Sequence, residues 1–100
     1  MTKQEFRRIQ DYLEDLNFKL TYTLSNSTIW TLFIEGGNVD IEVLNPDGNL
    51  NLVGNSKPIT VDIYSDKTKM NSLVKEAEFD NLEELKAFLE GDDEQHRMDF

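Results

Sequence analysis

The sequence predicts a single α+β domain: an N-terminal helix, an antiparallel meander of five or six strands, and a C-terminal helix, with both helices on one face of the sheet. Three observations lead there. Apolar residues recur at helical spacing at both ends, with Phe6, Ile9, Leu13 and Leu16 at one and Leu82, Leu85, Phe88 and Leu89 at the other. Between them the period drops to 2, as strands require. The apolar runs are separated by turn residues in loops too short for the crossover that parallel neighbours need.

Thr2 followed by Glu5 reads as a capping box, so a first helix is expected from about Thr2 to Leu16, with Tyr12 on its flank and Arg7, Arg8, Asp11, Glu14 and Asp15 on its solvated face. From Phe18 the alternation of Phe18, Leu20, Tyr22 and Leu24 with Lys19, Thr21 and Thr23 predicts a half-buried strand. Ser25-Asn26-Ser27 turns the chain into a second strand over Ile29 to Glu35, and Glu35-Gly36-Gly37-Asn38 is a hairpin leading to Val39, Ile41 and Val43. Asn45-Pro46-Asp47-Gly48 supplies the next turn, after which Leu50 and Leu52 suggest a short fourth strand. Ile59, Val61 and Ile63 mark a fifth, and Ser65 to Ser72 reads as a loop. Leu73 to Phe79 reads as a sixth strand with Leu73, Ala77 and Phe79 on one side and Val74, Glu76 and Glu78 on the other, a helical turn being the alternative. Asp80, with Glu83 in the capping-box position, starts the closing helix, and Gly91 ends it. The domain is thus expected over residues 1–91, with an acidic, flexible tail over 92–100.

The chain has 100 residues and no cysteine, which removes thiol catalysis and thiolate metal sites and agrees with a reducing cytoplasm. No apolar run is long enough for a signal peptide or membrane span, so a soluble, cytoplasmic protein without membrane contact is expected. The net charge of −10 is unevenly placed: residues 1–75 carry ten acids against eight bases, and residues 76–100 carry ten acids against Lys86 and Arg97. A field of that sign disfavours direct nucleic-acid binding and attracts basic proteins or cations.

Little in the sequence points to catalysis. The only histidine, His96, falls in the expected tail, where a general base would lack fixed geometry. Asn45, Asp47, Asn49 and Asn51 alternate around Gly48, but the glycine is misplaced for a calcium loop and the closing acid is missing. Neither a metal nor an organic cofactor is expected. Strand parity places Glu35, Asp40, Glu42 and Asp62 on the face opposite Ile34, Val39, Ile41 and Ile63, together with Phe33, Leu44, Val53 and Tyr64. On the sixth strand Glu76 and Glu78 lie about 6.6 Å apart, since each residue rises about 3.3 Å, and Asp80, Glu83, Glu84 and Glu90 extend the acidic surface.

These features favour a non-enzymatic module that binds a basic protein through Glu76, Glu78, Asp80, Glu83, Glu84 and Glu90 together with Phe33 and Tyr64. In its inhibitory form, ordered carboxylates occupy the positions of nucleic-acid phosphates in a basic groove. The alternatives are a small hydrolase or lyase built on a carboxylate pair with Asp62 or Tyr64 in its site, and an accessory subunit that buries Trp30, Phe33 or Tyr64 in an assembly. The sequence leaves the oligomeric state open.

Overall fold

The computed structural model describes residues 1–65 and 72–91; the middle of the expected Ser65–Ser72 loop and the expected tail over 92–100, with His96, lie outside the described residues. In chain order the elements are α1 (Lys3–Asp15), β1 (Lys19–Thr23), β2 (Ser27–Ile34), β3 (Gly37–Leu44), α2 (Leu50–Val53), β4 (Ile59–Ser65), β5 (Ser72–Phe79) and α3 (Leu82–Glu90). The five strands pair antiparallel in sequence order to form one open sheet, as the short connections require.

α1 starts where Thr2 Oγ1 accepts the Glu5 amide at 3.0 Å. It ends in a Schellman turn: Asn17 takes φ 72°, its amide donates to Glu14 O at 3.0 Å, and the Phe18 amide donates to Leu13 O at 3.0 Å. That turn drops Phe18 into the core beside Leu13. Trp30, Val39, Ile41, Val43, Ile59, Val61 and Ile63 form the inner sheet face, and Ile9, Leu13, Leu82, Leu85 and Phe88 of the two long helices cover it. Phe6 meets Trp30 with ring centroids 5.7 Å apart, and Phe79 meets Phe88 at 5.1 Å. Both long helices therefore lie on one face, while the segment between α2 and β4 crosses part of the other, where Asn55 and the Ser56 and Lys57 amides bond Glu42 and Glu78.

Several local expectations are corrected. The half-buried first strand is instead an edge strand exposed along all five residues; of its apolar set only Phe18 is buried, and that through the helix cap. A bulge at Thr21 breaks the alternation, so that Leu20 pairs with Trp30 on the inner face and Tyr22 with Ile29 on the outer. Leu50 and Leu52 lie not in a strand but in the single helical turn α2, because Asn49 Oδ1 accepts the Asn51 amide at 2.9 Å and Gly54 closes the turn at φ 84°. A second bulge at Val74 places Leu73 opposite Tyr64 on the outer face, not with Ala77 and Phe79. The cap of α3 is Asn81, one residue later than expected: its Oδ1 accepts the Glu84 amide at 2.9 Å, and Glu84 Oε1 accepts the Asp80 amide at 3.0 Å. Glu35 sits in the β2–β3 turn and Val53 in α2, so neither belongs to the strand face assigned to it.

Gly37 opens β3 where the backbone of β4 passes closely, and a Cβ there would overlap the Tyr64 carbonyl. The backbone, not a flexible side chain, would have to move. Gly37→Ala should therefore lower the unfolding free energy by about 1–3 kcal/mol in urea titration; an unchanged midpoint would mean that β3 and β4 have more room than this packing implies.

Candidate functional site

Because side chains on a strand alternate between faces, the register that buries the inner residues also fixes the outer surface, which is ordered in rows across the strands. One row runs Thr31, Asp40, Asp62, Glu76, each directly opposite the next from β2 to β5. A parallel row runs Ile29, Glu42, Thr60, Glu78, and a third Phe33, Asn38, Tyr64, Leu73. Asp40, Glu42 and Asp62 thus share the outer face as parity implied. Leu44 shares it but is buried, and Phe33 is 72% exposed.

Directly opposed like charges cost stability, so each carboxylate must be offset or protonated. Asp40 Oδ1 accepts the Thr31 hydroxyl at 2.8 Å and Asn38 Nδ2 at 3.1 Å. Both oxygens of Glu42 are engaged, by Ser27 Oγ at 2.6 Å and Asn55 Nδ2 at 3.1 Å. Glu78 Oε1 accepts the backbone amides of Ser56 and Lys57 at 2.8 and 3.0 Å. Asp62 has no such donor. Its Oδ1 and the Thr60 hydroxyl are buried without a hydrogen-bond partner among the described residues. Burial, a side-chain hydrogen bond with Glu76, and the charges of Glu76, Asp40 and Glu42 push the Asp62 carboxyl up to about 7. Burial, followed by the Asp62, Asp40, Glu76 and Glu42 charges, also raises the Tyr64 hydroxyl above its ordinary value.

The C-terminal acids do not form one surface. Glu76 and Glu78 belong to the outer sheet face, whereas Glu83, Glu84 and Glu90 belong to the helix layer. There they join elements: Glu83 Oε2 meets Arg8 Nη2 at 3.1 Å, and Glu90 Oε2 accepts the Tyr12 hydroxyl at 2.9 Å, which ties α3 to α1. Hydrogen bonds from its own backbone amide and from Arg8 hold the Glu83 carboxyl below its ordinary value. Asp80 Oδ2 lies 3.6 Å from Lys57 Nζ, and Glu84 caps its own helix. Of the aromatic candidates, Phe33 and Tyr64 are on the outer face and Trp30 is core.

Among the described residues no three carboxylates or histidines converge to hold a metal ion. The Asn45–Asn51 region makes turns and caps: Asn45 Oδ1 accepts the Thr28 hydroxyl at 2.7 Å, and the Asn49 amide donates to Asn26 Oδ1 at 2.9 Å. A cleft beside Tyr64 is lined by Ile34, Glu35, Gly36, Ile63, Tyr64, Ser65 and Val74, and it includes none of Asp40, Asp62 and Glu76. The ion pairs among the described residues are Arg8–Glu5, Arg8–Glu83 and Lys57–Asp80, so no cation from that set meets the Asp40–Asp62–Glu76 row. No helix among the described residues is long and apolar enough to cross a membrane.

Sequence parity found Asp40, Glu42 and Asp62 but did not join Glu76 to them. The signal was present: Glu76 and Glu78 alternate with Ala77 and Phe79 on the strand after β4, and consecutive short-looped strands pair. No family model, curated protein or solved structure matches the chain.

The unfolded chain releases the Asp62 proton near 3.8, whereas the folded chain holds it to about 7. The folded state therefore binds more protons between those values, and this group makes stability fall as pH rises through them. Asp62→Asn should flatten the decline seen by urea titration between about pH 5 and 8; the same slope in both proteins would assign the decline to other groups.

Proposed function

We propose that this chain is a non-enzymatic interaction module that binds a basic protein through the sheet face opposite α1 and α3, centred on Asp40, Asp62 and Glu76. The observation that carries the reading is a row of carboxylates side by side on the sheet face opposite α1 and α3, none of them in an ion pair among the described residues. A basic partner removes the repulsion that the folded chain bears alone, and the exposed Phe33 at the edge of the face adds apolar contact. In its inhibitory form, the Asp40–Asp62–Glu76 row enters a basic groove in place of phosphates. The acids of α3 contribute a general negative field rather than the contact itself, because Glu83, Glu84 and Glu90 already have partners within the fold.

The hydrolase reading draws support from the Asp62 carboxyl, which at about 7 has the poise of a general acid or base. Against it, the cleft beside Tyr64 has none of Asp40, Asp62 and Glu76 in its lining.

Immobilised protein should retain a basic protein at about 50 mM salt and release it at about 500 mM, since screening shortens from about 14 Å to about 4 Å over that range. Retention should be lost with Asp40→Asn, Asp62→Asn and Glu76→Gln combined, and kept with Asp80→Asn and Glu83→Gln combined. Retention that ignores salt and survives the sheet-face changes would overturn the reading, as would loss through the Asp80 and Glu83 changes alone.

A further inference from the structure

We propose that the two free edges of the sheet fit each other, so that β1 of a second copy of this chain pairs with β5 of the first and the sheet continues from molecule to molecule. The contact lies at the strand edges and does not depend on the basic partner proposed above.

Among the described residues β1 and β5 each pair on one side only; β1 is exposed along its whole length, and Leu73 to Glu76 are exposed on β5. A free edge presents unpaired amides and carbonyls that another strand can satisfy. Four antiparallel steps separate the two strands, so β1 and β5 run the same way. A copy moved sideways across the sheet therefore meets the edge as a parallel strand, with both helix layers on one side.

The side chains of the two edges agree in that arrangement. Each cross-strand row runs from β1 to β5, and the row ends are Lys19 and Glu76, Leu20 and Ala77, Tyr22 and Glu78, and Thr23 and Phe79. Continuing the rows brings Lys19 of the second copy beside Glu76 on the outer face. On the inner face it brings Leu20, 55% exposed in a single copy, beside Ala77. The bulge at Thr21 keeps Tyr22 on the same face as Glu78.

The helix layer is complementary too. Arg8 and Tyr12 of α1 bond α3, and Ile9 and Leu13 enter the core, so Lys3 and Arg7 stand on the flank away from α3, toward β1. On α3, Glu83 and Glu90 bond α1 while Leu85 and Phe88 enter the core, so Glu84 stands on the flank toward β5, near Asp80. Arg8 meets Glu83 and Tyr12 meets Glu90, so the two helices run the same way and these basic and acidic flanks lie toward one end of the sheet. Lys3, Arg7 and Lys19 are in no ion pair among the described residues.

Each edge resists its own kind. Two β5 strands paired antiparallel about Ala77 would set Glu76 against Glu78, and like charges directly opposite destabilise a sheet. Two β1 strands paired about Thr21 would set Leu20 against Tyr22, which point to opposite faces. Unlike edges therefore join, which leaves one free edge at each end. Five strands twisting by about 20–25° each turn successive copies by about 100–125°, so the contact builds an open chain.

Sedimentation velocity of the full chain from about 10 μM to about 1 mM should show an average mass that rises with concentration. Lys19→Glu and Glu76→Lys should each raise the apparent dissociation constant about tenfold. Their equimolar mixture should restore association, because each altered edge then meets an opposite charge. Asp11→Lys, which changes the net charge as Glu76→Lys does but lies on the exposed face of α1, should not weaken it. The chain has no cysteine, so a 1:1 mixture of Lys19→Cys and Glu76→Cys reports the register. Neighbouring strands lie about 4.8 Å apart, within disulfide range, and mixed disulfides should far exceed the half that random pairing gives. A chain that stays monomeric, reversals that leave association intact, a mixture that fails to restore it, or random disulfides would each overturn the proposal.

Discussion

Burial of Val39, Ile41 and Val43 against Ile59, Val61 and Ile63 under α1 and α3 is the constraint from which the rest of the molecule follows. A strand has a period of 2, so a register that buries these six side chains must place Asp40 opposite Asp62 on the far face. Slipping one strand by a residue would relieve the charges only by turning its apolar set out to water. Each of these side chains is worth about 1.5–3 kcal/mol when buried, more than the roughly 0.2–1 kcal/mol at stake in one cross-strand pair. The hydrophobic side wins, and the acidic row is its consequence.

The outer face then shows two ways of living with negative charge. Asp40, Glu42 and Glu78 are acceptors held by hydroxyl, amide and backbone donors drawn from β2, β3 and the segment before β4. Asp62 instead has a hydrogen bond with the Glu76 side chain, and burial with its acidic neighbours pushes its carboxyl up to about 7. The first arrangement is internally complete and stiffens the sheet. The second makes Asp62 the part of the face that responds to pH. Local sequence choices that agree with a fold throughout and conflict with it at one place often mark where function has been given priority over stability.

The fold was legible in the sequence because most of its elements have strong periods and short connections. α1, β2, β3, β4 and α3 were all readable within a residue or two, and the meander order followed from loop length. The misread places share a cause: a single residue that changes local geometry without changing composition. Thr21 and Val74 are bulges that reverse strand parity, and both look like ordinary β-branched strand residues. Asn49 turns Leu50 and Leu52 from a strand into a helical turn through one side-chain hydrogen bond. At the site, parity alone placed Asp40, Glu42 and Asp62 together. It could not show that Glu42 and Glu78 would be satisfied by the segment before β4, because those donors, Asn55 and the amides of Ser56 and Lys57, come from a stretch with no period.

Counting charges along the chain directs attention to the C-terminal quarter, yet that quarter divides between two faces with different chemistry. Glu83 and Glu90 look exposed and acidic in sequence but work as joints between α3 and α1. Neutralising them would loosen the helix layer as much as it would weaken any field. Glu76, from the same quarter, has as its direct neighbour Asp62, another acid, and no described cation. The distinction that matters for recognition is therefore not how much negative charge a segment carries but how much of it the fold leaves uncompensated. By that measure the acidic surface of this protein centres on β3, β4 and β5, and most of the acids on α3 belong to its internal structure.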